Sequence, residues 1–591
     1  VHAGLGPGSR PARAVEVRWP SGAVQVVEAQ PARSVVTIDE PPAAGAGPVF
    51  NDVTRAAGLW YPKPRFADAP ACPSAAVLFD ELLEGGERAA AAGYLCFHSA
   101  FRGGAAVADF DGDGHPDLFV TRMFESPLLF RNRGDGTFVD VATARGIDLD
   151  AGANAATWAD IDNDGDADLI IGTVGAPRSF LYVNDGSGHF SEEALARGVA
   201  WPTDAPHWEV GVAVGDYDRD GWVDIYFAGW GIFRRSPSRL LRNRGAEAPG
   251  QFEDVTAASG AGCVRLLESF VTVFSPSFVD LDGDAFQDLA VTAEPDQTRL
   301  FWNQGDGTFR DGTVAARVNR AGSTMGMTFG DLDFDGRLDW FISNLTCTDP
   351  YQPRQGPVED FTPHQCGNRN NLFMSTSGRE FTDRSFDFGL AIGHFGWGTG
   401  FTDYDNDGDL DLAFVNGLRV PFEGFENYHH DPMRFWRNDG AGEMAQVAGE
   451  LGLLDQGIGS GLVLFDYDGD GDEDLYIVNV DGPPRLYRND GGNRLDWIEV
   501  EVVGTTSNRD GLGARVTVQA HAGAPRQLQE IGARTHYLGQ SDRVARFGLG
   551  SGEDSVAEVR VDWPASGATQ TFREVARNQR IVVVEGDGGL E

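Results

Sequence analysis

The stretch VADFDGDGHPDLFV, residues 107–120, places four aspartates (Asp109, Asp111, Asp113 and Asp117) within nine residues and then runs straight into an apolar strand. Four ionised carboxylates in one turn repel each other, and nothing cationic in the motif relieves them. A bound cation does. With Asp109 as position 1, the carboxylates at positions 1, 3 and 5 of a tight loop point inward, and Gly114 at position 6 permits the reversal. Adding the position 7 carbonyl, a bidentate Asp117 at position 9 and a water gives about six or seven oxygens, the number calcium prefers. The loop is not an EF-hand, which closes with Glu at position 12 and continues into a helix; here position 12 is Val120, inside an apolar strand.

The pattern recurs seven times. Positions 1, 3, 5 and 9 are Asp109, Asp111, Asp113 and Asp117 in the first loop, Asp160, Asp162, Asp164 and Asp168 in the second, and Asp216, Asp218, Asp220 and Asp224 in the third. They are Asp280, Asp282, Asp284 and Asp288 in the fourth, and Asp331, Asp333, Asp335 and Asp339 in the fifth. The sixth has Asp403, Asp405, Asp407 and Asp411, and the seventh Asp466, Asp468, Asp470 and Asp474. Position 7 varies freely (His115, Asp166, Trp222, Phe286, Arg337, Asp409, Asp472), as expected of a residue that ligates through its carbonyl. Ala285 replaces the position 6 glycine of the fourth loop, so that loop is expected to bind most weakly or with altered geometry.

Recurrence at roughly 50–70 residues marks a repeat architecture. Each unit reads as a small apolar strand before the loop (GVAVGDYD), a β-branched or aromatic strand after it (DLIIGTV), a strand ending in an Asn/Gly turn (LFRNRGDGTF), and a short closing strand (FVDVA). Four strands per unit make a propeller blade. The closing pattern falls at Phe50, Phe138, Phe190, Phe252, Phe309, Phe381 and Met444, one step ahead of the Asp loops. Residues 49–54 are therefore expected to supply the outer strand of the last blade and lock a seven-bladed propeller, over 49–492, into a ring without open edges.

Residues 494–586 lack Asp loops and alternate in strands (DWIEVEVVG, ARVTVQAHA, QRIVVVEG), which suggests a small β-sandwich. The Asp loops together with SNRDGLGARVTV (507–518), RFGLG (546–550) and VDWPASGATQ (561–570) resemble the secreted FG-GAP/VCBS-repeat family with a C-terminal ASPIC/UnbV domain, a family that includes cartilage acidic protein-like chains. The resemblance implies an extracellular, calcium-loaded scaffold or adhesion protein and supplies no biochemical activity. Residues 3–25 align with 547–570, so residues 1–40 read as the back half of a second ASPIC/UnbV-like domain. With Val1 in place of an initiator Met, the sequence reads as a fragment or a matured product of a longer chain. Half a sandwich leaves strand edges unpaired. Either a copy of the same chain completes it head to tail, or the segment folds back on its own chain.

The net charge of −42 excludes a nucleic-acid binder, and seven divalent ions would bring it to −28. No run of eighteen apolar residues is present, so no membrane span is expected. Lys63 is the only lysine. Cys72 with Cys96 and Cys347 with Cys366 are the disulfide pairs suggested by proximity, leaving Cys263; buried free thiols are the alternative. His98, His207 and His394 near a channel mouth could hold a transition metal, or simply hydrogen-bond at the surface. The insertions at 60–99 and 347–371 are candidate recognition loops for an extracellular protein or polysaccharide, or coverings for blade edges. Asn344 begins an NLT sequon. No GxSxG, HExxH, CxxC or GxGxxG occurs. The expected function is a secreted calcium-binding structural or adhesion protein rather than an enzyme; a carbohydrate-active lyase or hydrolase on the same propeller is the alternative.

Overall fold

The computed structural model describes residues 12–18, 24–30, 49–62, 103–122, 125–149, 151–176, 178–200, 207–230, 237–262, 272–294, 298–320, 322–345, 369–417, 430–480, 482–552 and 554–590. All five cysteines, His98 and most of the two insertions lie outside them.

The fold is all-β and propeller-like. Among the described residues, seven four-stranded antiparallel units follow one another, numbered here with their Asp loops. In unit 1, Ala105–Ala108 pairs with Asp117–Val120, which pairs with Leu128–Asn132, which pairs with Phe138–Asp140. Each Asp loop joins the innermost strand to the second. Unit 7 takes Gly459–Phe465, Asp474–Asn479 and Arg485–Asp490 from the end of the repeat region, and Val49–Asp52 from its start. Phe50, 3% exposed, anchors that closing strand against Tyr404 and Phe435 of unit 6, and its N–H donates to Leu451 O at 2.7 Å.

Innermost strands crowd around the axis, which explains why they are built of small residues. A Cβ on Gly326 would stand 2.3 Å from Trp397 O, and one on Gly398 would stand 2.8 Å from Ser460 O. Buried hydroxyls and amides replace side-chain bulk and sew neighbours together. Asn154 Nδ2 donates to Val210 O (2.9 Å), Thr292 Oγ1 to Met325 O (2.7 Å) and Ser343 Oγ to Trp397 O (2.6 Å). Ser460 Oγ donates to Gly103 O (2.7 Å), joining unit 7 back to unit 1. Aromatic wedges fill the spaces between units, as where Trp158 packs with Phe110 and Phe190.

The C-terminal domain is a sandwich of two sheets. Asp496–Val503 lies between Ala545–Gly550 and, in parallel, Gln579–Val584. The facing sheet runs Arg526–Glu530, Arg515–Gln519, Ser555–Asp562 and Thr569–Ala576. Period-two burial sends Val516, Val518, Val559, Val561, Ile581 and Val583 into one core with Trp563. Near the start of the chain, Ala12–Arg18 and Val24–Gln30 form an antiparallel hairpin, paired only with each other among the described strands.

The sandwich sits on the Asp-loop face, a placement sequence patterns did not indicate. From it, Thr535–His536 and Gly539–Gln540 form a short hairpin that enters the centre of the ring. Gln540 pairs in parallel with Ala106 of unit 1, and its Oε1 accepts from Thr157 Oγ1 (2.8 Å) and Trp158 N (2.9 Å) of unit 2. His536 Nδ1 lies 2.7 Å from Thr399 O of unit 6, and Leu464 N of unit 7 donates to Ser541 Oγ at 2.8 Å. Tyr537, fully buried at the tip, packs at a tilt against Phe274 and Trp397. The channel is thus filled by the protein itself.

Candidate metal centres

Loop 1 shows how the turn is built. Asp109 accepts from the N–H groups of Asp113 (3.1 Å) and Gly114 (2.7 Å), closing the turn on its own first residue. Asp117 Oδ2 accepts from Phe110 N (3.1 Å) and Oδ1 from Asn132 N (2.7 Å), which ties the loop's end to its beginning and to the next hairpin. Asp113 Oδ1 accepts from His115 N, and Arg131 pairs with Asp111 and Asp113 at 2.5 Å. Comparable bonds recur in the other loops, as at Asp160 with Asp164 N and Gly165 N.

Two backbone positions in every loop are left-handed. Position 6 has φ between +70° and +100°, and position 4 (Gly112, Asn163, Arg219, Gly283, Phe334, Asn406, Gly469) between +56° and +78°. Glycine reaches this region freely and Asn tolerates it, while Arg219 and Phe334 are held there at a cost of about 1–2 kcal/mol each. Ala285 keeps φ +70° and its N–H still donates to Asp280 Oδ2 at 3.0 Å. The altered geometry expected of loop 4 is therefore absent; what remains is backbone strain.

The carboxylates that converge are those of positions 1, 3 and 9. Asp109/Asp111/Asp117, Asp160/Asp162/Asp168, Asp216/Asp218/Asp224, Asp280/Asp282/Asp288 and Asp331/Asp333/Asp339 each bring three ligand oxygens within 4.8 Å of one another, and two further acidic or His/Cys groups do the same. One oxygen of the position 5 carboxylate accepts from the N–H of position 7, as Asp220 does from Trp222 and Asp407 from Asp409.

The triads fit a cation on a specific observation. Asp111, Asp162, Asp218 and Asp405, all at position 3, each bury an Oδ1 that no hydrogen bond satisfies. A buried, unpaired carboxylate oxygen is among the most expensive groups a fold can carry, and a cation is the partner that answers it. Burial also lifts the metal-free acids: Asp160 to about 7, Asp117 and Asp339 to about 8, Asp168 to about 9, with the neighbouring loop carboxylates adding to the effect. Asp224, Asp288, Asp411 and Asp474 are raised well above the ordinary carboxylate range for the same reason. Acidic triads of this kind could hold metal ions.

Sequence reasoning missed the asparagine that ends the third strand. Besides its N–H to the position 9 Asp, its side chain reaches the preceding unit: Asn132 Nδ2 to Tyr467 O, Asn184 to Phe110 O, Asn243 to Ile161 O, Asn303 to Tyr217 O and Asn489 to Tyr404 O, at 2.7–2.9 Å. Each accepting carbonyl is position 2 of a neighbouring loop, so every bond links two candidate centres. The Asn was visible in the repeat as a turn residue. The histidines are placed differently from one another: His207 is buried in the inner strand of unit 3, and His394 lies 3.3 Å from Asp431 beside Arg434.

The family described as ASPIC and UnbV matches residues 1–45 and 504–590, and the FG-GAP-like repeat matches 109–171 and 280–342, the latter windows opening on the first Asp of loops 1 and 4. The chain carries FG-GAP-like repeats and an ASPIC and UnbV domain. It is homologous to Cartilage acidic protein 1 of Homo sapiens, at 25% identity over 82% of this chain and 71% of that one, and of Mus musculus, at 25% over 82% and 73%. An Agrocybe aegerita lectin that recognises non-reducing terminal N-acetylglucosamine shares 16% identity, with 66% of this chain and 88% of that one covered and a TM-score of 0.34, too low to carry an argument. Among the described residues no helix of the FG-GAP chain is long and apolar enough to cross a membrane.

Proposed function

We propose that this chain is a secreted calcium-binding structural protein in which the seven Asp loops are permanent calcium sites that hold the ring together. The observation that carries the reading is the set of buried, unsatisfied position 3 oxygens inside converging triads. Oxygen-only ligation in a turn suits a hard cation, and calcium rather than magnesium tolerates the irregular, partly bidentate set. Homology to the cartilage acidic proteins supports an extracellular, scaffold-type role.

Replacing one position 3 carboxylate tests the assignment. Asp218→Asn keeps the shape and removes one charge, so bound calcium is expected to fall by one ion per chain. With calcium at 100 times its dissociation constant, the lost site costs about 2.7 kcal/mol of stability. An unchanged calcium count contradicts the assignment.

A non-catalytic role is the companion proposal. A cavity of about 580 Å³ between loops 1 and 2 and the sandwich holds acids and arginines, but Asp510 pairs with Arg543 and Glu501 with Arg580. The finer reading, head-to-tail self-association, is supported by residues 1–45 matching the same family as 504–590, and by a hairpin near the chain start that, among the described strands, pairs only with itself. Size exclusion of the chain lacking residues 1–40 is expected to show loss of a higher oligomer; an unchanged oligomeric state contradicts self-association and leaves the calcium assignment standing.

A further inference from the structure

The C-terminal domain meets two of the Asp loops, 2 and 4, with carboxylates of its own. Asp160 N of loop 2 donates to Asp510 Oδ2 at 2.9 Å, placing that carboxylate beside the first ligand of the loop. Asp280 N of loop 4 donates to both oxygens of Glu530 at 3.1 Å, and Glu530 is 3% exposed. In loop 6 the contact is direct, since Asp403 Oδ2 accepts from Gly548 N at 3.1 Å. Loop 7 is held through Glu473, which pairs with Arg534 (2.7 Å) and Arg546 (3.4 Å). Arginines offset part of this charge: Arg515 lies 3.2 Å from Asp280, and Arg543 pairs with Asp510. Loop 1 is set apart, across the cavity that separates Asp109, Gly112 and Gly114 from Glu501, Arg509 and Arg580.

The channel hairpin grips the same loops from behind. Thr157 and Trp158, bound by Gln540, lie just before Asp160; Leu464, bound by Ser541, lies just before Asp466; Thr399, touched by His536, lies four residues before Asp403. Inner-strand ends that set the loop geometry are therefore also the docking surface of the C-terminal domain.

We infer that docking of the C-terminal domain and filling of the Asp loops are thermodynamically linked: calcium neutralises loops 2, 4 and 6 against the acids and backbone of the sandwich, and its loss releases the domain and withdraws its hairpin from the channel. The inference rests on the calcium reading of the loops. Linkage is reciprocal, so whatever weakens docking weakens calcium binding by the same factor.

Hydrogen exchange on the intact chain across a calcium titration tests the release. Protection of residues 534–541 is expected to fall at calcium levels where the second strand of unit 6, Asp411–Asn416, keeps its protection. Hairpin protection that persists until the blades themselves exchange overturns the inference. Two variants far from any loop test the reciprocity. Tyr537→Ala removes the hairpin's buried tip, and Gly539→Ala, in the hairpin itself, adds a Cβ that would stand 2.2 Å from Ala105 O. Either is expected to raise the half-saturating calcium concentration at least about fivefold, the low end of usual allosteric coupling. Calcium titrations identical to the parent's, with hairpin exchange accelerated, overturn the linkage while sparing the calcium reading. A parent chain that binds no calcium overturns both.

Discussion

Stripping calcium with EGTA at pH 7.5 is expected to lower the melting temperature of this chain by roughly 20 °C, the size that follows if seven sites, each adding about 2.7 kcal/mol at 100 times the dissociation constant, act on one cooperative ring of this length. The effect depends on pH in a defined direction. An unfolded aspartate titrates near 3.9. In the folded, metal-free chain burial raises Asp160 to about 7, Asp117 and Asp339 to about 8 and Asp168 to about 9. Between about pH 4 and pH 8 the folded metal-free chain thus holds more protons than the unfolded one, and its stability falls as pH rises through that window. Calcium takes the place of those protons. The gap between calcium and EGTA melting curves is expected to be small at pH 5 and to open towards pH 8, as calorimetry at a series of pH values will show. A gap that is constant or widest at pH 5 contradicts the assignment of these acids to the metal.

Phe50→Ala is the second large effect. Phe50 is 3% exposed and packs on Tyr404 and Phe435, so truncation costs about 3–5 kcal/mol by loss of a buried aromatic. Its position adds a kinetic consequence. Phe309→Ala removes the corresponding ring of unit 4, where the closing strand belongs to the same local hairpin run as its partner. Phe50 instead holds a strand whose partner lies more than four hundred residues away, as the Asn51–Asp490 bond shows. Losing it frees an edge of unit 7 and opens the ring at the seam that joins the two ends of the repeat region. Denaturant unfolding is expected to be faster in Phe50→Ala than in Phe309→Ala at matched equilibrium loss. Equal unfolding rates would mean the seam is no weaker than any other unit.

The ring and the loops were legible in the sequence because they repeat with fixed chemistry: four aspartates at fixed offsets, and a Phe-x-Asp closing strand displaced by one unit. Position 4 was not legible, since its left-handed backbone is occupied by Gly, Asn, Arg and Phe and no residue type advertises it. Position 5 has a second task that the sequence did not reveal, because invariance of Asp does not separate a metal oxygen from one that caps the next N–H; in Asp113 and Asp220 one carboxylate oxygen makes that capping bond. The channel hairpin was invisible for a different reason. THYLGQ has the composition of an ordinary turn, and only the three-dimensional ring supplies the walls that bury Tyr537 and His536. Docking of two domains is long-range information that no local period carries.

The central claim is that the Asp loops are structural calcium sites, and the most direct measurement is the metal content of the purified chain after dialysis against calcium, counted per polypeptide by mass spectrometry of the elements. About seven calcium ions per chain are expected, with loop 4, strained at Ala285 and already engaged by Arg515 and Glu530, the last to fill. A count of one or two ions, or the same melting temperature with and without them, would contradict the account.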